Sequence, residues 1–120
     1  MVERDFLRLG DLTLDDYRAM FDRAHLLKQR RQEHLLDRTL EGRTLVLLFE
    51  KPSTRTRLSF EAAICQLGGS ALTLNAADSQ LGRGETVADT ARVLSRYVDA
   101  IMLRTADAAK LQEMAEHATV

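Results

Sequence analysis

Residues 44–67, TLVLLFEKPSTRTRLSFEAAICQL, carry the strand, turn and helix signals on which the rest of the prediction depends. Thr44–Phe49 is an uninterrupted apolar run of strand length, which is typical of a strand buried on both faces. The segment 49–57 then predicts a turn and a helix start, and the helical pattern at 58–67 stops at Gly68 and Gly69, where glycine favours the end of a helix. The stretch therefore predicts a strand, a turn and a helix.

The turn places hydroxyl and guanidinium groups at the first turn of the predicted helix. Ser53, Thr54 and Thr56 can donate hydrogen bonds to phosphate oxygens, and Arg55 adds a planar, charged donor. The backbone N–H groups at this position lack intrahelical partners, and the helix dipole favours negative charge there. This combination indicates a binding site for a phosphate group.

An ordinary N-cap is the alternative interpretation of the same residues. Ser53 or Thr54 would then cap the helix, while Arg55 and Arg57 would remain solvated on the surface. Cations oppose the dipole at this end of a helix, however, at a cost of about 0.3 to 1 kcal/mol each. Two arginines in the first turn therefore favour a bound anion, because helix stability alone would select Asp or Glu.

Strand and helix patterns alternate along the rest of the chain. The predicted elements are strands at 44–49, 71–74 and 101–103, and helices beginning at Thr13 and covering 58–67, 86–98 and 106–117. We also predict a loop or short helix at 31–42 and the start of a further strand at 118–120. This order predicts an α/β fold: a three-layer parallel sheet flanked by helices on both faces, with an appended N-terminal helix that packs against the sheet.

Apolar spacing predicts which side chains are buried. In the second helix the predicted buried positions are Phe60, Ala63 or Ile64, and Leu67. In the third helix they are Val87, Ala91, Leu94 and Val98. The single cysteine, Cys65, lies on the apolar side of the second helix and is predicted to be a small buried hydrophobe.

The predicted topology brings three polar segments to one edge of the sheet. Ligands of parallel sheets bind outside the carboxyl ends of the strands. The phosphate-site residues follow the first strand, the polar loop 75–85 follows the second, and Arg104 ends the third. Taken alone, Arg104 would be a surface cation at a sheet edge. Because all three segments share that edge, we predict that Arg104 contributes to the phosphate site.

Composition indicates a single soluble domain. The 120 residues are 45% hydrophobic and 29% charged, and no segment approaches the ~20 apolar residues of a membrane span. A net charge of −1, with 17 basic and 18 acidic residues interspersed, disfavours nucleic acid or a membrane surface as partner. The N-terminus has no signal-peptide pattern, so we expect a cytoplasmic protein. His25, His34 and His117 are too scattered to indicate a metal site.

The run FEKPSTRTRLSFEAA at 49–63 resembles the carbamoyl-phosphate signature of the aspartate and ornithine carbamoyltransferases. Its opening Phe-Glu-Lys, together with SQLGRGE at 79–85 and DTARVLSRYVDAIMLR at 89–104, is similar to the ornithine branch. The aspartate branch would carry a lysine in that loop, which Arg83 does not replace. The resemblance implies transfer of the carbamoyl group of carbamoyl phosphate to the δ-amine of ornithine, giving citrulline and phosphate without a metal or organic cofactor.

The resemblance also implies roles for individual residues. Those implied to contact carbamoyl phosphate within one subunit are Ser53, Thr54, Arg55, Thr56 and Arg104. Arg55 and Arg104 are the implied catalytic residues, and Gln80 would reach the ligand of a neighbouring subunit. Without the resemblance, Gln80 would be a solvated loop amide. Family enzymes are built on trimers, so the resemblance implies a homotrimer or a multiple of trimers.

The family's amino-acid site has no counterpart in this sequence. The downstream His-Pro motif and the second-domain segments Ser-Met-Gly and His-Cys-Leu-Pro do not occur. We therefore expect 1–120 to be a carbamoyl-phosphate-binding domain that is truncated at its C-terminus, lacks the amino-acid-binding domain and is inactive alone. The alternatives are a fragment of an aspartate carbamoyltransferase and a non-catalytic phosphate-binding or interaction module.

Overall fold

The computed structural model of the protein describes residues 5–78 and 83–120. It divides into two compact units, Met1–Asp37 and Arg38–Val120. The first unit contains a 3₁₀ turn at Leu9–Asp11 and the helix α1, Leu14–Gln32. The packing of α1 against the sheet remains a prediction.

The start of α1 is the one that the sequence predicts. The Thr13 hydroxyl accepts a hydrogen bond from the Asp16 N–H at 3.1 Å, and the Asp16 carboxylate accepts one from the Thr13 N–H at 2.8 Å. This reciprocal capping box satisfies two backbone donors at once. The helix continues to Gln32, so the irregular region predicted at 31–42 begins two residues later than expected.

The second unit has an α/β fold. Its helices and strands are β1 (Thr44–Phe49), α2 (Thr54–Gln66), β2 (Ser70–Asn75), α3 (Val87–Leu94), β3 (Ala100–Arg104) and α4 (Ala108–His117). The strands are parallel and lie in the order β2-β1-β3. The chain moves outward from β1 to β2 and then back across β1 to β3. Right-handed crossovers therefore place α2 and α3 on opposite faces, which confirms the predicted layered architecture.

β1 lies at the centre of the sheet and is buried on both faces, as its apolar run predicts. Val46 and Leu48 pack in one cluster with Ala91 of α3 and Met114 of α4. Leu47 is 0% exposed and points to the opposite face, on the side of α2, because side chains alternate along a strand. Burial of each such side chain stabilises the fold by roughly 1.5 to 3 kcal/mol. The strand that delivers the predicted site is thus the most firmly held element of the sheet.

The outer strands are less buried than β1. We predicted a buried strand at 101–103, but these residues of β3 are only half-buried. Exposed and half-buried residues alternate along β2, and its Leu72 and Leu74 are exposed. Both strands lie at edges of the sheet, so each has a neighbouring strand on one side only.

The strand that we predicted to begin at 118–120 is absent from this described part of the chain. The Ala118 N–H donates to the Met114 carbonyl at 2.9 Å and so ends α4. The Thr119 N–H donates to the Ser95 hydroxyl at 3.0 Å. These backbone donors are therefore used by contacts with the helices and do not join the sheet.

The buried face of α2 is narrower than its apolar pattern predicts. Ile64 is buried and Leu67 is half-buried, but Phe60 and Ala63 are exposed. Cys65 is also exposed, so the prediction of a buried cysteine is wrong. Positions adjacent to Ile64 are rotated by about 100° around the helix, which carries them away from the sheet. The helix ends as predicted, with Gly68 in the left-handed region at φ 90°.

Candidate functional site

The N-terminus of α2 differs from those of the other helices in how its first turn is satisfied. Ser53 occupies the N-cap position in an extended conformation, but its side chain makes no capping hydrogen bond. In α1, α3 and α4 the N-cap side chains, those of Thr13, Thr86 and Asp107, each accept a backbone N–H bond. The first-turn N–H groups of α2 therefore lack the side-chain acceptor that the other helices supply.

The Ser53 hydroxyl is directed instead into a small network across the edge of the sheet. It donates to Thr56 Oγ1 at 2.9 Å. Arg104 Nη1, at the end of β3, donates to the same oxygen at 2.9 Å, across 48 residues of sequence. Thr56 Oγ1 thus accepts two hydrogen bonds, which fills its acceptor capacity and leaves its own O–H to donate. The network combines a hydroxyl donor and a guanidinium beside the open end of a helix.

A cavity of about 510 Å³ lies at this network. It is lined by Lys51, Thr56, Met102, Leu103, Arg104, Thr105 and Ala106. The lining joins the turn after β1 to the end of β3, so the cavity opens at the carboxyl edge of the parallel sheet. This is the position at which such sheets bind ligands.

A partly exposed ion pair supports the same corner of the sheet. The Glu50 carboxylate accepts a hydrogen bond from Lys110 Nζ at 2.8 Å and one from Thr105 Oγ1 at 2.7 Å. These bonds hold the pKa of Glu50 below its usual value, and the bond from Lys110 has the larger effect. The bond to Glu50 raises the pKa of Lys110. Both groups therefore stay charged at neutral pH, and the pair adds no net charge to the site.

The structure brings together three of the predicted site residues: Ser53, Thr56 and Arg104. Thr54 and Arg55 are exposed at the first turn of α2. Arg55 makes no hydrogen bond or ion pair with the described residues, so its guanidinium is available to a ligand. Gln80 lies outside the described residues.

Four residues at this edge were not predicted as part of the site: Glu50, Lys51, Thr105 and Lys110. Lys51 lines the cavity, and the other three form the hydrogen-bonded corner beside it. Glu50 and Lys51 lie three and two positions before Ser53 in the quoted stretch, and Thr105 follows Arg104 directly. Their positions next to the predicted strand ends were the signal that would have found them. Lys110 offered no such signal, because it is one of several polar residues on α4.

The arrangement is suited to a compound with a phosphate group and a polar carbonyl. Backbone N–H groups, hydroxyls and guanidiniums donate hydrogen bonds to phosphate oxygens without any proton transfer. Arg104 and the Thr56 hydroxyl lie together and can donate to one further oxygen. Within 5–78 and 83–120, no group of three or more His, Cys, Asp or Glu side chains is placed to hold a metal ion.

No helix within the described residues is both long enough and apolar enough to cross a bilayer.

Nearly the whole chain matches known proteins of one family. Residues 4–120 match the family model described as aspartate/ornithine carbamoyltransferase, carbamoyl-P binding domain. The ornithine carbamoyltransferase of Bradyrhizobium diazoefficiens is 51% identical over 98% of this chain and 38% of its own length. The anabolic ornithine carbamoyltransferase of Pyrococcus furiosus is 53% identical over 98% of this chain and 37% of its own length. The chain thus spans somewhat more than a third of the length of these curated relatives.

Solved structures give the same result for the fold. The ornithine carbamoyltransferase of Pyrococcus furiosus matches with a TM-score of 0.92 at 53% identity, over 98% of this chain and 37% of that chain. The catalytic subunit of aspartate transcarbamoylase from M. jannaschii matches with a TM-score of 0.86 at 34% identity, over 93% of this chain and 38% of that chain. With its sequence matched from residue 4 to its last residue, the chain belongs to the aspartate/ornithine carbamoyltransferase family, within the carbamoyl-P binding domain.

Proposed function

We propose that the protein to which this chain belongs transfers the carbamoyl group of carbamoyl phosphate to the δ-amine of ornithine. The observation that carries the proposal is the 2.9 Å bond between Arg104 Nη1 and Thr56 Oγ1 at the mouth of the cavity. It joins the two matched segments, 49–63 and 89–104, into one donor site. Family membership supports carbamoyl phosphate as the ligand.

The binding roles follow from the positions of the donors. Thr54, Arg55 and the first-turn N–H groups of α2 donate to the phosphate oxygens, and the Ser53 hydroxyl joins them by rotating away from Thr56 Oγ1 when the ligand binds. Arg104 and the Thr56 hydroxyl donate to the carbonyl oxygen. The guanidinium groups of Arg55 and Arg104 balance the charge of the phosphate dianion. We propose Arg55 and Arg104 as the catalytic residues.

The proposed reaction is an acyl transfer. The neutral δ-amine forms a C–N bond to the carbamoyl carbon, and the C–O bond to phosphate then breaks. Phosphate departs with the bonding electron pair and takes up the proton that the amine nitrogen loses, so the products are citrulline and hydrogen phosphate. Negative charge grows on the carbonyl oxygen as the carbon becomes tetrahedral, and donors aimed at that oxygen stabilise it. Removing one such donor typically costs about 10²- to 10³-fold in rate. The proposal requires no metal ion or organic cofactor.

Ornithine is favoured over aspartate as the acceptor by the relatives. Both the Bradyrhizobium and Pyrococcus proteins, at 51% and 53% identity, are named ornithine carbamoyltransferases. The aspartate transcarbamoylase subunit of M. jannaschii is 34% identical. Product analysis separates the two acceptors, since ornithine gives citrulline and aspartate gives carbamoyl-aspartate. Formation of carbamoyl-aspartate alone would reject the ornithine assignment.

We extend the proposal to domain organisation. Residues 1–120 supply the carbamoyl-phosphate-binding part, and we propose that the acceptor amino acid binds mainly outside these 120 residues. The isolated chain therefore lacks transferase activity. The coverage of somewhat more than a third of each relative supports this division.

Assembly and cellular setting form a further part of the proposal. We infer a homotrimer, or a multiple of trimers, in which Gln80 reaches the ligand of a neighbouring subunit. The exposed Leu72 and Leu74 lie on the same face of the edge strand β2 and support a subunit contact, because exposed apolar side chains on an edge strand favour association. We place the enzyme in the cytoplasm and assign it to amino-acid biosynthesis and arginine metabolism. The relative from Pyrococcus furiosus, which is named anabolic, supports the biosynthetic role. We propose no nucleic-acid or membrane partner, because the charge is nearly balanced.

Calorimetric titration of carbamoyl phosphate into the protein at its full encoded length tests the site. Arg55→Ala is expected to abolish measurable binding, because it removes the exposed guanidinium at the open helix N-terminus. Arg96→Ala is the matched control, since Arg96 is also exposed but precedes β3 and so lies toward the other end of the sheet. Unchanged affinity in Arg55→Ala would reject the assignment.

A further inference from the structure

We propose that Glu50 is a positioning residue, one that fixes Arg104 without touching the ligand; this inference rests on the proposed function of the site. Arg104 can act on a carbonyl oxygen only if its guanidinium is held in one orientation. Its contact with Thr56 restrains the tip of the side chain. Glu50 restrains the backbone from which that side chain projects.

The contacts of Glu50 surround the end of β3. Its backbone N–H donates to the Arg104 carbonyl at 3.1 Å, which extends the pairing of β1 and β3 by one residue. Its carboxylate accepts from Thr105 Oγ1 at 2.7 Å, and so holds the next residue as well. Thr105 Oγ1 in turn accepts from the Asp107 N–H at 3.1 Å, at the start of α4. Glu50 therefore restrains the chain at Arg104 and Thr105 directly, and at Asp107 through Thr105.

Lys110 makes this use of a carboxylate compatible with an anion site. An unpaired carboxylate at the edge of the cavity would repel a phosphate dianion. Lys110 Nζ lies 2.8 Å from Glu50 Oε1, and the Glu50 side chain is 20% exposed. The pair cancels the charge while leaving the hydrogen bond to Thr105 intact. The geometry thus assigns two functions to the pair, which are to hold the backbone and to keep the site electropositive.

Glu61 provides a matched carboxylate elsewhere in the same unit. It accepts from Thr73 Oγ1 at 2.6 Å and from Arg57 Nε at 3.1 Å, so it also joins a strand threonine and a cation. Its partners do not line the cavity. A substitution at Glu61 therefore has the structural consequences of one at Glu50 without the proposed effect on Arg104.

The test is a double-mutant cycle with inorganic phosphate as the probe. Affinity is measured by calorimetry in the protein at its full encoded length, for Glu50→Ala, Arg104→Met and the combined variant. We expect Glu50→Ala to weaken binding by about 10-fold, since misplacement by 1 Å can cost up to ~10²-fold. The same substitution should have little further effect once Arg104 is absent, because Glu50 acts through it. Glu61→Ala should leave the affinity near that of the wild type.

Two further variants separate the positioning role of Glu50 from the effect of its charge. Glu50→Gln keeps an acceptor for Thr105 and should retain most of the affinity. Lys110→Met leaves the Glu50 carboxylate uncompensated and should weaken phosphate binding, and adding Glu50→Gln should restore it. Additive effects of Glu50→Ala and Arg104→Met would overturn the inference. Equal losses of affinity in Glu50→Ala and Glu61→Ala would do so as well.

Carbamoyl transfer to ornithine, followed as citrulline formation by the same preparations, distinguishes this inference from the proposed function. Phosphate binding with a non-additive cycle but no citrulline formation would reject the function and support the role of Glu50. Citrulline formation with an additive cycle would do the reverse. Absence of both phosphate binding and turnover in the wild type would overturn both.

Discussion

Helices α2 and α3 each follow a strand of the sheet, but their first turns differ in capping and in charge. Each has a hydroxyl residue at its N-cap, Ser53 or Thr86. The Thr86 hydroxyl accepts from the Asp89 N–H at 3.1 Å, and the Asp89 carboxylate lies in the first turn, where the dipole favours it. α3 is therefore capped by its own residues.

α2 lacks both of these features. Ser53 donates its hydroxyl to Thr56 instead of capping the backbone, and the first turn contains Arg55 and no acidic residue. This is unfavourable for the isolated helix and favourable for an anion that binds there. We therefore interpret a helix start without a side-chain cap or an acidic first turn as a candidate anion site, whereas a hydroxyl residue at the N-cap does not by itself indicate one.

The strongest test of the comparison is to give α2 the cap that it lacks. Ser53→Asp supplies a carboxylate to the first-turn N–H groups, so stability should stay equal or rise by up to about 1 kcal/mol. The same charge opposes the phosphate dianion, and affinity for carbamoyl phosphate should fall on the order of 10²-fold. Thermal unfolding and calorimetry measure the two effects. Thr86→Asp is the control and should leave the affinity unchanged; tight binding by Ser53→Asp would contradict the argument.

A smaller loss is expected at the centre of the hydroxyl network. Thr56→Val preserves the shape of the side chain but removes the oxygen to which Ser53 and Arg104 both donate. We expect about a 10-fold loss of affinity, equivalent to ~1.4 kcal/mol, with little change in the unfolding midpoint. Thr56→Ser keeps the hydroxyl and should bind nearly as well as the wild type. Equal affinities for the Val and Ser variants would show that the network is not used in binding.

At α3 the corresponding substitution should change stability only. Thr86→Ala removes the hydroxyl that caps the helix and should lower the free energy of unfolding by about 1 kcal/mol. Urea denaturation measures this loss, and Thr86→Ser should largely avoid it. Affinity for carbamoyl phosphate should be the same in all three proteins. A selective loss of ligand affinity in Thr86→Ala would mean that α3 also contributes to the site.

The sequence predicts the parts of the fold that depend on local signals. β1 has the predicted bounds, Thr44–Phe49, because a short uninterrupted apolar run followed by a turn signal favours a strand buried on both faces. Thr13 and Thr86 cap the predicted helices, since capping depends on residues three positions apart. Burial at the sheet edges was harder to predict. Whether Phe60 is covered depends on how far α2 extends over the three strands of the described residues, and whether Cys65 is covered depends on how α2 is rotated about its axis.

The same division applies to the site. Parallel topology is enough to predict that Ser53 and Arg104 lie at one edge, and the hydrogen bonds through Thr56 agree with it. The corner formed by Glu50, Thr105 and Lys110 could not be predicted, because Lys110 is 60 residues from its partner and carries no local signal. Contacts of this kind require the packing of α4 against the sheet, which periodicity does not specify.

The smallest expected effect concerns Glu50, which precedes α2, and Glu61, which lies within it. Their carboxylates accept hydrogen bonds from side chains and do not cap the N-terminus of α2. Lys110 and then Thr105 lower the pKa of Glu50, and Thr73 and then Arg57 lower the pKa of Glu61. A carboxyl group whose pKa is lowered in the folded state stabilises the fold at pH values above its ordinary pKa of 4.5. This contribution is lost as the pH falls through the folded-state pKa. The unfolding temperature should therefore decrease modestly below pH 4.5. The Glu50→Gln/Glu61→Gln variant should start lower at neutral pH and show a flatter profile, whereas Thr86→Ala should keep the wild-type slope. Parallel profiles for the wild type and the double variant would place the acid-sensitive groups elsewhere in the chain.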